Sequence, residues 1–248
     1  MKSQVLQYAL GVFLAVSSLH AFAAEDPKQL LEESDRARGA SKKGVSWKVK
    51  LDTTEDGDTS STTYKVRSVM NNANVEVVEP ARSKGEVLLF NDRTIWFYKP
   101  SLKKPVAISA RQKLSGQAAN GDIASTNYAR DYSGKIVGEE KVNGEDCYVL
   151  ELKSVGENTT YDGIKYWISK KKKLGIKADF LSLQGKSLKT AEFKYANALT
   201  ADGKKIDFVS EMKVVDAQNK DNFSVMTYTS PKVESAPASI FNVNNLLR

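Results

Sequence analysis

The sequence predicts a mainly β (α+β) protein, built as one curved antiparallel sheet with helical segments packed on one face. Three observations carry that prediction. About a dozen segments with period-two alternation follow one another at intervals of roughly 8–12 residues, the pattern of an antiparallel sandwich or barrel. Turn dipeptides of the X-Gly kind separate many of them, which favours meander hairpins over long crossovers. Helical signals replace the alternation only near the start, the middle and the end of the chain.

The first element is a helix. Asp26 is a good N-cap, Pro27 suits the first helical position, and Gln29 stands where a capping-box side chain would reach back. Leu30, Leu31, Ser34 and Ala37 share one narrow face, and Gly39 is placed to end the helix in a left-handed conformation. So thin a face suits a helix that lies across something larger.

From Val45 the period becomes two, with Val45, Trp47, Val49 and Leu51 alternating with polar residues. The polar tract Asp52–Thr62 holds a turn signal at Asp56-Gly57. Strands are expected at Tyr64–Val69, Val75–Val78, Glu86–Phe90, Thr94–Tyr98 and Val106–Ser109, with Asn91-Asp92 as a tight turn. In the second half, Lys135–Lys141 and Cys147–Lys153 flank Asn143-Gly144. Ile164–Ile168 leads through the lysine run Lys170–Lys173 to Ile176–Ser182, and Gln184-Gly185 turns into Leu188–Tyr195. Asp202-Gly203 then precedes Ile206–Val214, and Phe223–Thr229 follows. In Gln112–Tyr132, Gly116 and Gly121 interrupt any strand period, and Asp122 can cap a short helix running to about Arg130. A second helical piece is expected near Ile240–Leu247.

The chain has 248 residues, a formal charge of +7 and a hydrophobic share of 41%. That is too apolar for disorder and too polar for a multispan membrane protein. Lys2, the apolar run Ala9–Leu19 and Ala21-Phe22-Ala23 fit the three regions of a secretory signal peptide. The run is too short to span a bilayer. Cleavage after Ala23 is expected, leaving one exported domain over residues 24–248.

The only histidine, His20, lies in that leader, and the only cysteine is Cys147. Ser-His-Asp and Cys-His catalysis, most zinc sites and intrachain disulfides are therefore excluded from the mature chain. A non-enzymatic protein without metal or cofactor is expected. The positive charge reads as solubility, or as weak attraction to anionic lipid head groups or an acidic partner. Nucleic acid is a poor partner for an exported protein.

The most unusual segment runs from Ile95 to Pro105. Ile95-Trp96-Phe97-Tyr98 places four bulky apolar residues in succession, so both faces of the strand are covered, and Pro100 and Pro105 force an irregular loop. It reads either as a central strand with a rigid turn or as the aromatic wall of an apolar cavity. Trp47, Trp167, Phe180, Phe193, Phe208, Met212, Met226 and Tyr228 also fall on strands. They form either a packed core or a cavity lining, and methionine is the adaptable choice for variable ligands. The Lys170–Lys173 run reads as a solvated turn, and Cys147 as an inert thiol inside a strand.

Several stretches, in order, resemble the bacterial outer-membrane lipoprotein-sorting family, the LolA-like group, in its larger exporter-associated branch. They are Asp35-Arg36-Ala37-Arg38-Gly39, Trp96-Phe97-Tyr98-Lys99-Pro100, Pro105-Val106-Ala107-Ile108-Ser109, Asp131-Tyr132 and Val142-Asn143-Gly144. Cys147-Tyr148-Val149-Leu150-Glu151-Leu152, Tyr166-Trp167-Ile168 and the tail from Phe241 to Leu246 complete the set.

The resemblance implies an incomplete, highly curved antiparallel β-barrel with a helical lid on its concave face. It also implies a periplasmic carrier of lipoprotein acyl chains or other lipids. The implied partner is an inner-membrane transporter of the RND/MMPL or ABC type. Trp96, Tyr98, Leu102, Trp167, Phe180, Phe193, Phe208 and Met212 would then line the cavity, with Leu30, Leu31 and the 112–132 insertion closing over it. Burying one methylene is worth about 0.8 kcal/mol, so a sixteen-carbon chain gains on the order of 12 kcal/mol gross on leaving water. A wide, adaptable cavity captures that energy and still releases its guest. A lipid-sensing regulatory or accessory module of a membrane complex is the alternative, and a histidine-free hydrolase with paired carboxylates is a third.

Overall fold

The computed structural model describes residues 25–124, 127–201 and 204–247. The expected leader and the Asp202-Gly203 turn lie outside the described residues. Among the described residues no helix is long and apolar enough to cross a membrane.

The chain opens with α1 (Pro27–Arg36), where the Asp26 side chain accepts the Lys28 N–H at the N-cap. Gln29 does not complete a capping box; its amide donates to Glu33 one turn on. Six strands follow: β1 (Val45–Glu55), β2 (Asp58–Val69), β3 (Asn72–Glu79), β4 (Val87–Asn91), β5 (Thr94–Tyr98) and β6 (Val106–Ile108). The expected helical insertion opens instead as a small hairpin, β7 (Lys113–Ser115) and β8 (Ala118–Ala119). Asp122 spends its carboxylate on the Ala119 N–H, so the one-turn helix α2 (Tyr128–Asp131) starts later, capped by Asn127.

The second half contains β9 (Tyr132–Val142), β10 (Glu145–Ser154), β11 (Gly163–Ser169), β12 (Gly175–Leu181) and β13 (Ser187–Lys194). A side hairpin, β14 (Asn197–Ala201) and β15 (Lys204–Phe208), precedes β16 (Glu211–Asp216) and β17 (Phe223–Val233). Two 3-10 turns at Ala238–Phe241 and Val243–Leu247 occupy the expected C-terminal helical piece.

A 13-stranded antiparallel sheet runs β6-β5-β4-β3-β2-β1-β17-β16-β13-β12-β11-β10-β9. It consists of two meanders sewn together where β1 pairs with β17. The edge strands β6 and β9 do not pair with each other, so the barrel stays open. The hairpins close where X-Gly dipeptides supply left-handed backbone, as at Asn143 (φ 48°) and Gly144 (φ 82°).

Period-two alternation sends one set of side chains to the inner face, where a single large core forms. Leu30 and Leu31 of α1 are 1% exposed within it, and burying each is worth roughly 1.5–3 kcal/mol. The inner face is thus covered by α1, α2 and the β7–β8 hairpin together, rather than by helices alone. Gly39 ends the helical region at φ 107°, and a side chain there would come within 2.6 Å of Trp47. The outer face is covered in part by the C-terminal turn, because Asn74 and Asn91 donate to the carbonyls of Ile240 and Phe241.

The expected Ile206–Val214 strand is broken. Val209 N–H donates to the Ala37 carbonyl and Ser210 N–H to that of Lys194, which releases β15 from the sheet. Phe208 still reaches the core, edge-on to Trp47 at 5.5 Å.

Candidate functional site

On β2 to β6 the inward positions fall to Tyr64, Val77, Leu88, Phe97 and Ile108. Register aligns Tyr64 with Val77 and Leu88 with Phe97 on neighbouring strands. Leu114 of β7 faces them, and together they form the apolar side of an open cleft of about 520 Å³. That size lies within the ~300–1,000 Å³ common for small-ligand sites. The rest of its lining is polar, with Thr62, Ser83 and Glu86 on one side and Gln112, Lys113, Ser115 and Asn120 on the other. Burial pushes the Tyr64 hydroxyl up to about 12, so the phenol stays neutral.

The β7–β8 hairpin forms one wall as a flap tied at several points. Gln117 N–H donates to the Ser224 hydroxyl at 2.7 Å, Lys113 meets Glu55 at 2.6 Å, and the Asn120 amide donates to the Ser109 carbonyl at 2.9 Å.

A second inner region lies around α1 and α2. Phe180, Phe193, Phe208 and Met212 are buried there, with Phe193 opposite Met212 and Tyr161 stacked on Phe180 at 4.0 Å. Leu30 and Leu31 pack into the same core. The guanidinium of Arg38 sits 4.6 Å from the Phe193 ring and 4.9 Å from that of Tyr128. In this structure these side chains pack on one another as core.

Asp35, at the end of α1, is 1% exposed and accepts the Ala129 N–H of α2 at 2.9 Å. Burial raises its pKa to about 7, against the pull of that hydrogen bond and of the Arg38 charge. Burial likewise raises Asp122, which accepts the Tyr161 hydroxyl at 2.8 Å, and lowers Lys189, whose ammonium donates to the Gln117 carbonyl.

Three aromatic residues expected in the cavity point the other way. On β5, Ile95 and Phe97 take the inward positions, so alternation turns Trp96 and Tyr98 outward. On β11, Tyr166 faces in and Trp167 faces out, joining Cys147, Val149 and Ile176 in an outer cluster. There the Trp167 indole N–H donates to Glu140 at 2.7 Å, beneath Lys165 and Lys177. Leu102 sits half-buried in the turn after β5, apart from the residues that line the cleft.

Phe97 was within reach of the sequence, since it belongs to the segment singled out. Only the choice of face was missing. Leu114 carried no usable signal, because its three-residue strand is too short to show a period. The Lys170–Lys173 run is a surface turn whose lysines pair with Glu139, Glu145 and Glu25.

A family model described as "Uncharacterized protein" matches residues 70–248. No curated protein sequence matches the chain. Among solved structures, a LolA superfamily protein from Nitrosomonas europaea is 30% identical, with a TM-score of 0.77 over 88% of this chain and 97% of its own. A DUF1329 family protein from Desulfovibrio piger is 20% identical, with a TM-score of 0.74 over 88% of this chain and 97% of its own. A domain named for outer membrane lipoprotein sorting, from Vibrio parahaemolyticus, is 21% identical, with a TM-score of 0.74 over 89% of this chain and 98% of its own. With 30% of the positions identical over 88% of this chain, and a TM-score of 0.77, the chain belongs to the LolA superfamily.

Proposed function

We propose that this protein is a periplasmic carrier that holds acyl chains of lipoproteins or other lipids and binds without catalysing a reaction. It is exported by the leader at residues 1–23 and works beside an inner-membrane transporter of the RND/MMPL or ABC type. The observation that supports the reading is the open cleft on the concave face, whose apolar side is walled by Phe97 and Leu114. The cleft receives the first part of a chain. Displacement of the β7–β8 flap, and of α1 with Leu30 and Leu31, would extend it toward Phe180, Phe193, Phe208 and Met212. A site that borrows part of the core binds an apolar guest and releases it again, since the same side chains reclose behind it.

The test is titration of the leaderless protein with a fluorescent long-chain fatty acid, beside native mass spectrometry of protein taken gently from its own cell envelope. Saturable binding, lost when Leu114→Asp charges the cleft in a protein that keeps its melting curve, supports the carrier. Absence of both probe binding and co-purifying lipid would overturn it.

A further inference from the structure

A second cleft lies on a different part of the molecule. It is about 530 Å³ in volume and is bounded by the end of α1, the loop that follows it, the β2–β3 turn and the β14–β15 hairpin. Its floor includes Val45 and Leu199, both buried. Three large apolar side chains remain exposed along it: Met70 at 44%, Ile206 at 38% and Val233 at 38%. They come from three separate elements, yet they gather at one opening. Arg36, Lys42 and Lys43 line the same cleft, and Lys205 is exposed beside Ile206. The acidic lining residues are Glu32 and Asp35, whose carboxylate is turned inward to α2; Asp207 is exposed on the other side of Ile206, and Arg36 lies 4.0 Å from Glu33, so Lys42 and Lys43 carry most of the positive charge at the rim.

We propose that this cleft docks the protein on an anionic lipid bilayer. Met70, Ile206 and Val233 enter the head-group boundary while Lys42, Lys43 and Arg36 meet lipid phosphates. Apolar groups ringed by cations suit a surface that is greasy beneath and negative above. A second copy of this chain is a poor occupant, because isologous pairing would bring the two basic rims together. The inference stands apart from acyl-chain binding in the first cleft, since it concerns different residues and a different readout.

The experiment is co-sedimentation of the leaderless protein with vesicles of phosphatidylglycerol and phosphatidylcholine, against phosphatidylcholine alone. Salt-sensitive binding to the anionic vesicles is expected. Reversing two lysines together (Lys42→Glu with Lys43→Glu) should weaken it about 25-fold or more, at roughly fivefold per cation. Ile206→Asp should weaken it without changing the melting temperature. A polarity-sensitive dye on Met70→Cys should shift to the blue on anionic vesicles. The same dye on Leu183→Cys, 80% exposed and outside this cleft, should not. No binding, equal binding to neutral vesicles, or undiminished binding by the lysine-reversed protein would each overturn the proposal. The dye pair decides the matter even if a charge variant fails to fold.

Discussion

Ser34 of α1 and Tyr166 of β11 meet oxygen to oxygen at 2.7 Å, across 132 residues of sequence. The Ser34 hydroxyl also accepts the Gly175 N–H at 3.2 Å. The helix is therefore held to the inner face by a polar clasp as well as by Leu30 and Leu31. Apolar packing tolerates sliding, whereas a directed hydrogen bond sets one position.

Ser34→Ala should loosen that clasp. It leaves the Gly175 N–H short of a partner in a buried setting and the Tyr166 hydroxyl with Arg38 in place of two partners, at a cost of about 1–3 kcal/mol. Urea unfolding measures the loss. Hydrogen exchange should show α1 amides opening earlier than those of β11.

Phe97→Ala should weaken fatty-acid binding roughly tenfold or more, from the loss of a large apolar wall. Trp96→Ala, one residue away but on the outer face, should leave the affinity within about twofold. Equal losses at both positions would mean that the guest does not sit against the inner face.

Gly39→Ala should be costly. The residue lies at φ 107° and within 2.6 Å of Trp47 once a Cβ is present, so backbone strain and overlap add to about 2–4 kcal/mol. Gly57→Ala also meets a left-handed φ of 88° but open space, and should cost about 1 kcal/mol. Melting temperatures of the two variants separate overlap from backbone strain.

Asp35 makes stability depend on pH in a defined direction. Its pKa stands at about 7 in the fold against 3.8 for the free side chain, so the folded state holds the proton more tightly. Its contribution is therefore favourable at low pH, falls as pH rises from about 4 to 7, and is flat above that. Asp35→Asn should flatten this part of the curve, read as the difference between the two proteins' unfolding free energies at pH 5 and pH 7.5. An unchanged slope would show that Asp35 does not titrate in that window.

The sheet was legible because its strands are long and half-buried. Thr94–Tyr98 matches β5 residue for residue, and Asn143-Gly144 turns as its dipeptide predicts. What failed were the places where tertiary contacts override the local pattern. Ile206 to Val214 alternates on either side of Val209-Ser210, and there hydrogen bonds from those two residues to distant carbonyls split the run. Asp122 is a sound helix cap by type, but Ala119 and Tyr161 claim its carboxylate. At the site, residue type was easier to read than direction. Trp96 and Trp167 are large and apolar, but only the register of the finished sheet reveals that both point away from the concave side.

The seam between β1 and β17 has a consequence for how the molecule is made. Val49 must wait for Tyr228, its partner across the seam, before the two meanders become one surface. During synthesis the first six strands exist long before the strand that completes their border, leaving a raw hydrogen-bonding margin on β1. Such late, distant pairing slows folding and leaves the nascent chain open to misassociation. A product ending before Phe223 should leave the two meanders unpaired, so the final strand acts as the stitch that makes them one sheet.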